Sequence, residues 1–199
     1  SGTVYGSFSS DYFSNYEEAD IIEVVSTIFY DSFADNSNGW TLGTEWQIGS
    51  ATASSGQNYG NPDPGTDYTP TEDNGVAGVV IGGNASTSFL HDFYYLTSPV
   101  IDTSHANNLL NLDFARWLNS DYTPYMVNTV DVFDGNQWVN LWTTGGSPGI
   151  QDNQWTLQNF DILAYKSDST QVRFGFNVGN TGVSVSYTHL RAHETGRNL

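Results

Sequence analysis

Apolar and polar positions alternate along most of this chain in the manner of β-strands. The pattern is clearest at residues 110–119, where Leu110, Leu112, Phe114 and Leu118 fall on one side and Asn111 and Asp113 on the other. A period of two sends successive side chains to opposite faces, as a half-buried strand requires. Residues 93–101 form a second apolar segment, broken by Ser98-Pro99. Proline cannot donate to a ladder, so this segment is expected to be an edge strand or a bulged one. A short polar connection, residues 103–108, joins the two, and the other elements arrange themselves around this pair. Residues 28–33 predict a strand, the Asp/Asn/Gly run after it a turn, and Trp40 a ring docked on the core. Residues 44–48 alternate, and residues 75–82 are apolar throughout between glycines. Residues 129–142 predict a hairpin that turns at Asp134-Gly135-Asn136. On its return arm Trp138 and Trp142 share one face, and Val139 and Leu141 the other. One of these faces is open to a ligand, and at least one of the two tryptophans belongs to the core. Residues 155–165 read as a strand with a bend. Residues 171–177 read as a strand with Val172, Phe174 and Phe176 inward and Arg173 paired with a carboxylate.

Eight to ten short strands without a long helical pattern predict an all-β fold. The expected architecture is an antiparallel β-sandwich of the jelly-roll type, with two apolar inner faces and loops at the ends. A length of 199 residues suits one domain with a flanking piece. That piece is residues 1–27, polar and rich in Ser, Tyr and Gly, which read as a linker or the end of an upstream domain. Glu17-Glu18 within it reads as a solvated strand entry.

Charge narrows the partners. The chain carries 5 Lys and Arg against 22 Asp and Glu, a net charge of −17. Such a surface repels a phosphate backbone and an anionic membrane, which excludes nucleic acid as a partner. It suits solubility, or divalent cations held by oxygen ligands. There is no Cys, so disulfides, thiol catalysis and cysteine zinc sites are excluded. No apolar run approaches the ~18 residues of a membrane span, so no membrane insertion is expected.

Candidate chemistry sits in the loops. Residues 49–74 are the longest irregular stretch, and they hold Asp63, Asp67, Glu72 and Asp73 among Gly, Asn, Tyr59 and Tyr68. Hard oxygen ligands in this setting suit a structural Ca2+, although the spacing is not that of an EF-hand. Tyr122 and Tyr125, in the loop at residues 118–127, are of the type that stacks on sugar rings. With Tyr59 and Trp138 they form the predicted ligand-binding set. His91-Asp92 lacks a placed nucleophile, and the glycines at residues 145–149 do not end in Gly-Lys-Ser/Thr, so neither carries chemistry.

Taken in order, the pieces IFYDSFADNSNGWTL, TEWQIG, GNPDPGTD, YYLTSPVID, LNLDFARWLN, VDVFDGNQWVNLW, QWTLQNFDILAY and VRFGF resemble a MAM-type jelly-roll module. They run from about residue 28 to 182, in the style of modules that accompany secreted bacterial immune-inhibitor-A-like metallopeptidases and other surface proteins. The resemblance implies a cation held by an acidic pair near the first strand and by acids of a last strand. Asp31 matches the first of the pair; Ala34 stands at the second, with Asp35 beside it. With Asp63 and Asp67 from the long loop, the candidate metal set is Asp31, Asp35, Asp63 and Asp67. Residues 185–199, VSYTHLRAHET followed by GRNL, resemble a translated sequencing adapter and are expected to lie outside the module, residues 28–184. In the resembled family a strand of the type Trp-x-Ile-Asp-Asp-Val would follow.

The expected function is a non-catalytic accessory or adhesion module of a larger secreted bacterial protein, placed outside the cell or at its surface. Its partner would be a carbohydrate or a protein surface, or it would brace a neighbouring catalytic domain of the same polypeptide. The alternatives are a stalk repeat and a jelly-roll glycoside hydrolase. The latter needs two carboxylates about 5–9 Å apart, and Glu45, Glu72 and Asp113 are its only candidates.

Overall fold

The computed structural model of the chain describes residues 26–55 and 60–180, and the backbone pairing of residues 187–195. In chain order the strands are β1 (Thr41–Leu42), β2 (Trp46–Ser50), β3 (Gly75–Val79), β4 (His91–Thr97), β5 (Asn111–Ser120), β6 (Met126–Phe133), β7 (Trp138–Thr143), β8 (Ile150–Gln151), β9 (Thr156–Asp161), β10 (Gln171–Val178) and β11 (Tyr187–Thr195). The one helical element among the described residues is a single 3-10 turn, Leu163–Tyr165. The front sheet runs β1-β4-β10-β6-β7. The back sheet runs β2-β3-β11-β5-β8, with β9 also on β5. All strand pairs are antiparallel. The chain is thus an all-β antiparallel sandwich.

The core fills the space between the sheets. β5 supplies Leu112 and Phe114, β10 Phe174 and Phe176, β6 Val130 and Val132, β4 Leu96 and β2 Trp46, all buried. Each such side chain contributes about 1.5–3 kcal/mol over leaving it in water. Trp40 docks as expected, 5% exposed, with its ring edge-on to Phe33 at 5.2 Å and stacked on Phe174 at 6.3 Å. The two segments that organise the sequence, β4 and β5, lie in opposite sheets. β4 ends at Thr97, just before Ser98-Pro99, so the proline closes a strand rather than bulging one.

Two expectations meet a different outcome, and one further segment finds a place in a sheet. Residues 28–33 form no strand. The Asp31 carboxylate accepts the Phe33 N–H at 2.7 Å and the Trp40 Nε1–H at 2.7 Å. Phe33, with φ of 56°, then turns the chain inward. This bend lies against Gly75, where an added Cβ would stand 2.5 Å from the Phe33 carbonyl carbon. Trp138 and Trp142 do not share a face. Asp131 pairs with Asn140 but Val130 with Trp142, so Leu141 is an extra residue, a β-bulge. The bulge turns Trp142 into the sandwich and leaves Trp138 outside. Finally, residues 187–195 do form a strand, β11, which pairs with β3 at His189↔Gly78 and with β5 at His189↔Trp117. Sequence analysis placed these residues outside the module. A ladder bonds through the backbone, so an alternating segment fills an open place without side chains specific to it.

The back sheet is covered on its outer side. Every residue of β3 is buried, whichever way it points. The long loop crosses here: the Asn61 N–H donates to Asn119 Oδ1 at 2.8 Å, and Trp155 Nε1–H to the Thr66 carbonyl at 3.2 Å.

Candidate functional site

The outer side of the front sheet carries a row of rings. On β10, Val172, Phe174 and Phe176 point inward, which turns Arg173 and Gly175 outward. Gly175 pairs with Tyr95 of β4 and Thr129 of β6. The Tyr95 ring leans over it: a Cβ at Gly175 would stand 2.6 Å from Tyr95 Cε1 and 2.8 Å from Thr129 Oγ1. The position needs glycine for this close approach.

Two residues away, the Arg173 guanidinium is held between two rings. Its carbon lies 3.9 Å from the Tyr95 ring centre and 4.2 Å from that of Trp138. Such contacts are worth about 0.5–2 kcal/mol each as water is excluded. Arg173 Nε–H donates to Asp131 Oδ2 at 2.8 Å, and Asn140 Nδ2–H to Asp131 Oδ1 at 2.8 Å. Phe93 stacks on Tyr95 at 5.6 Å, and Phe133 lies 5.3 Å from Trp138. The row therefore runs from β4 to β7, three strand spacings or about 14 Å. Its four rings are half-buried, so each still presents surface to solvent. Burial pushes the Tyr95 phenol above its ordinary value of 10.0; Arg173 pulls it back and Asp131 adds to the rise. At neutral pH the phenol therefore keeps its proton and can donate.

This is a preorganised aromatic surface. Ring faces can stack on the C–H face of a sugar or other flat ligand. Arg173, held by the buried Asp131 carboxylate, offers forked donors, and the amides accept or donate beside them.

Of the predicted ligand set, Trp138 is part of this face. Tyr122 and Tyr125 meet each other, edge to face at 5.1 Å, in the loop before β6. They lie at the far end of that strand from Phe133, which Trp138 faces, a run of about 24 Å. Tyr59, like Glu17 and Glu18, lies outside the described residues. The structure thus brings Tyr122 and Tyr125 together but not with Trp138. Sequence reasoning paired Arg173 with a carboxylate but missed Tyr95 and Asp131. Alternation across 93–97 carried the signal for Tyr95, since it puts Phe93, Tyr95 and Thr97 on one face.

Of the predicted metal set, Asp31 is buried and holds two N–H donors, as described above. Asp35 is exposed and caps its own turn through the Ser37 N–H at 2.8 Å, which helps hold its carboxyl below the usual aspartate value, together with the Ser37 side chain. Asp63 and Asp67 are buried in the long loop, where Thr69 N–H donates to Asp67 Oδ1 at 2.8 Å. Among the described residues, no three His, Asp or Glu side chains are grouped so as to hold a metal ion. The hydrolase candidates are dispersed as well. Glu45 accepts the Ser86 N–H through both oxygens at 3.2 Å, Glu72 is exposed in the loop, and Asp113 bonds the Asn159 side chain on the back sheet. His91 stacks on Tyr94 at 3.9 Å, its Nδ1 against the Asp92 carbonyl rather than the carboxylate. Among the described residues, no helix is long and apolar enough to cross a membrane.

No protein-family profile matches the chain, and no curated protein does. Solved structures are similar in fold. SGBP-B, from a complex xyloglucan utilization locus in Bacteroides uniformis, superposes with a TM-score of 0.52 at 13% identity, over 86% of this chain and 49% of that one. The CBM22-1 xylan-binding domain of Paenibacillus barcinonensis Xyn10C gives a TM-score of 0.41 at 11% identity, over 87% of this chain and 98% of that one. This chain spans about half the length of SGBP-B. At such identities the likeness is one of fold. The sandwich implied by the MAM-type resemblance is present, while membership of that family has no match behind it.

Proposed function

We propose that the chain is a non-catalytic carbohydrate-binding module that holds a glycan on the outer side of its front sheet. The observation that carries this reading is the Tyr95–Arg173–Trp138 stack, fixed by Asp131 on a face that stays part-exposed among the described residues. Rings locked before binding lose little entropy when a sugar arrives, which favours a ligand that stacks through its weakly hydrated C–H face. The fold shared with SGBP-B, a protein of a xyloglucan utilization locus, supports a polysaccharide as the ligand. The dispersal of Glu45, Glu72 and Asp113, each engaged or exposed on a separate element, supports the non-catalytic part of the reading. In this reading the module acts as an accessory part of a secreted bacterial protein, outside the cell or at its surface, beside other domains of its polypeptide. A structural Ca2+ in the long loop, near the buried Asp63 and Asp67, belongs to the same proposal.

The test is affinity gel electrophoresis and calorimetry against soluble plant polysaccharides, with xyloglucan as the first probe. The wild-type chain is expected to be retarded. Trp138→Ala and Tyr95→Ala are each expected to weaken binding tenfold or more, with the fold checked by circular dichroism. Unchanged retardation in both variants would remove the front sheet from the reading.

A further inference from the structure

Resting on that carbohydrate reading, we infer that the front face selects neutral glycans and rejects uronate-bearing ones, with the Arg173–Asp131 pair as the specificity device. The only cation in the row is Arg173, and its charge is matched in place by Asp131 at 2.8 Å. The outward neighbours on the same strands are the amides and hydroxyls of Thr97, Thr129, Asn140, Gln171 and Asn177, with one carboxylate, the exposed Asp92, beside Phe93 on β4. The face therefore has no unmatched positive charge of its own, and it stands on a chain of net charge −17.

A carboxylate on a sugar ring would need a free cation to repay its lost hydration. Here the guanidinium is already paired through Nε. Among the described residues no hydrogen bond reaches its Nη1 or Nη2, so these groups remain as donors to sugar hydroxyls. Asp131, 5% exposed and bonded to Arg173 and Asn140, fixes the fork from below, and the exposed Asn140 amide supplies the acceptor beside it. A donor fork next to an acceptor suits vicinal hydroxyls, each of which both donates and accepts. An anionic polymer also meets the repulsion of the whole surface, within about 8 Å at physiological ionic strength.

The experiment sets neutral xyloglucan and a neutral mixed-linkage β-glucan against polygalacturonate and alginate, in calorimetry from low to 0.5 M NaCl. Binding to at least one neutral polymer, indifferent to salt and at least tenfold tighter than to either polyuronate, is the expected result. Asp131→Asn, which frees the charge of Arg173, is expected to weaken neutral binding severalfold and to create salt-sensitive polyuronate binding. Polyuronate binding by the wild-type chain that fades with salt would overturn the selectivity and leave the carbohydrate reading standing. Binding to none of the four polymers would overturn both.

Discussion

Gly175→Ala tests the ring row without removing one atom of it. The new Cβ would stand 2.6 Å from Tyr95 Cε1 and 2.8 Å from Cδ1, whereas ordinary contact begins at 3.4 Å. The ring must retreat by roughly 1 Å, and it has Arg173 on its other contact at 3.9 Å. Overpacking of this kind costs about 1–3 kcal/mol, and about 0.5–2 kcal/mol of cation–π contact is weakened with it. In a domain of this size each kcal/mol lowers Tm by roughly 2–4 °C. Gly175→Ala is therefore expected to lower Tm by several degrees and glycan affinity about tenfold, which corresponds to ~1.4 kcal/mol. Paired thermal melts and calorimetry on xyloglucan read both. The decisive control is the double variant. With Tyr95→Ala in place, the new methyl meets only the Thr129 hydroxyl, which can rotate away. Alanine then removes the entropic penalty of glycine in a strand, about 0.5–1 kcal/mol. In that background Gly175→Ala is expected to be neutral or stabilising, so the cycle reverses sign. If Gly175→Ala costs the same stability with and without the Tyr95 ring, the close approach is not what destabilises. If it leaves affinity untouched while Tm falls, the ring has no part in binding.

Other expectations follow from the same coordinates. Asp31→Ala strands two buried donors, the Phe33 N–H and the Trp40 Nε1–H, at about 1–3 kcal/mol each; urea melts should show a loss far above that of Asp35→Ala, and equal midpoints would discard the anchor. Asp134 caps the hairpin turn through the Gln137 and Asn136 N–H groups, which hold its carboxyl below 3.8, as the Ser104 hydroxyl and N–H do for Asp102. A depressed folded pKa gives stability that is present above the unfolded value and lost as pH falls through the folded one. Tm should therefore hold down to about pH 4 and decline below it, and the decline should be shallower in Asp134→Asn; identical acid limbs would refute the cap. Calcium at millimolar concentration is expected to raise the Tm of the wild-type chain and not that of the Asp63→Asn, Asp67→Asn double variant. Equal melts in calcium and in EDTA would end the structural-cation proposal.

The sandwich was legible because its strands face a core on one side. Leu110, Leu112, Phe114 and Leu118 are all buried, as their alternation requires, and so are Val172, Phe174 and Phe176. Period-two reasoning fails where the ladder gains a residue. The bulge at Leu141 falls opposite Val130 and Asp131 within the hairpin, where the alternation carries no mark of it, and it reverses the fate of Trp142 relative to Trp138. The first segment was misread for a related reason. Its apolar residues suit a strand, but Asp31 diverts the backbone by taking the Phe33 N–H that a ladder would have used. The site was half legible. A lone outward tryptophan could be named from the hairpin. Its companions come from β4, β6 and β10, and only the strand order of the front sheet makes Tyr95, Asp131 and Arg173 neighbours.

The place of β11 has a bearing on how the 199-residue chain, adapter-like tail included, folds as it is made. The front sheet is complete once residue 178 has emerged, and the binding row with it. The back sheet at that moment is two separate ribbons, β2-β3 and β5-β8-β9, because the strand that joins them is made last. The join at His189↔Gly78 links positions about 110 residues apart, so it is among the slowest contacts to form. At a synthesis rate of roughly 5–20 residues per second, the facing edges of β3 and β5 stand open for about a second or more. In a polysome, where identical chains grow side by side, those edges are the place where one copy would pair with the next.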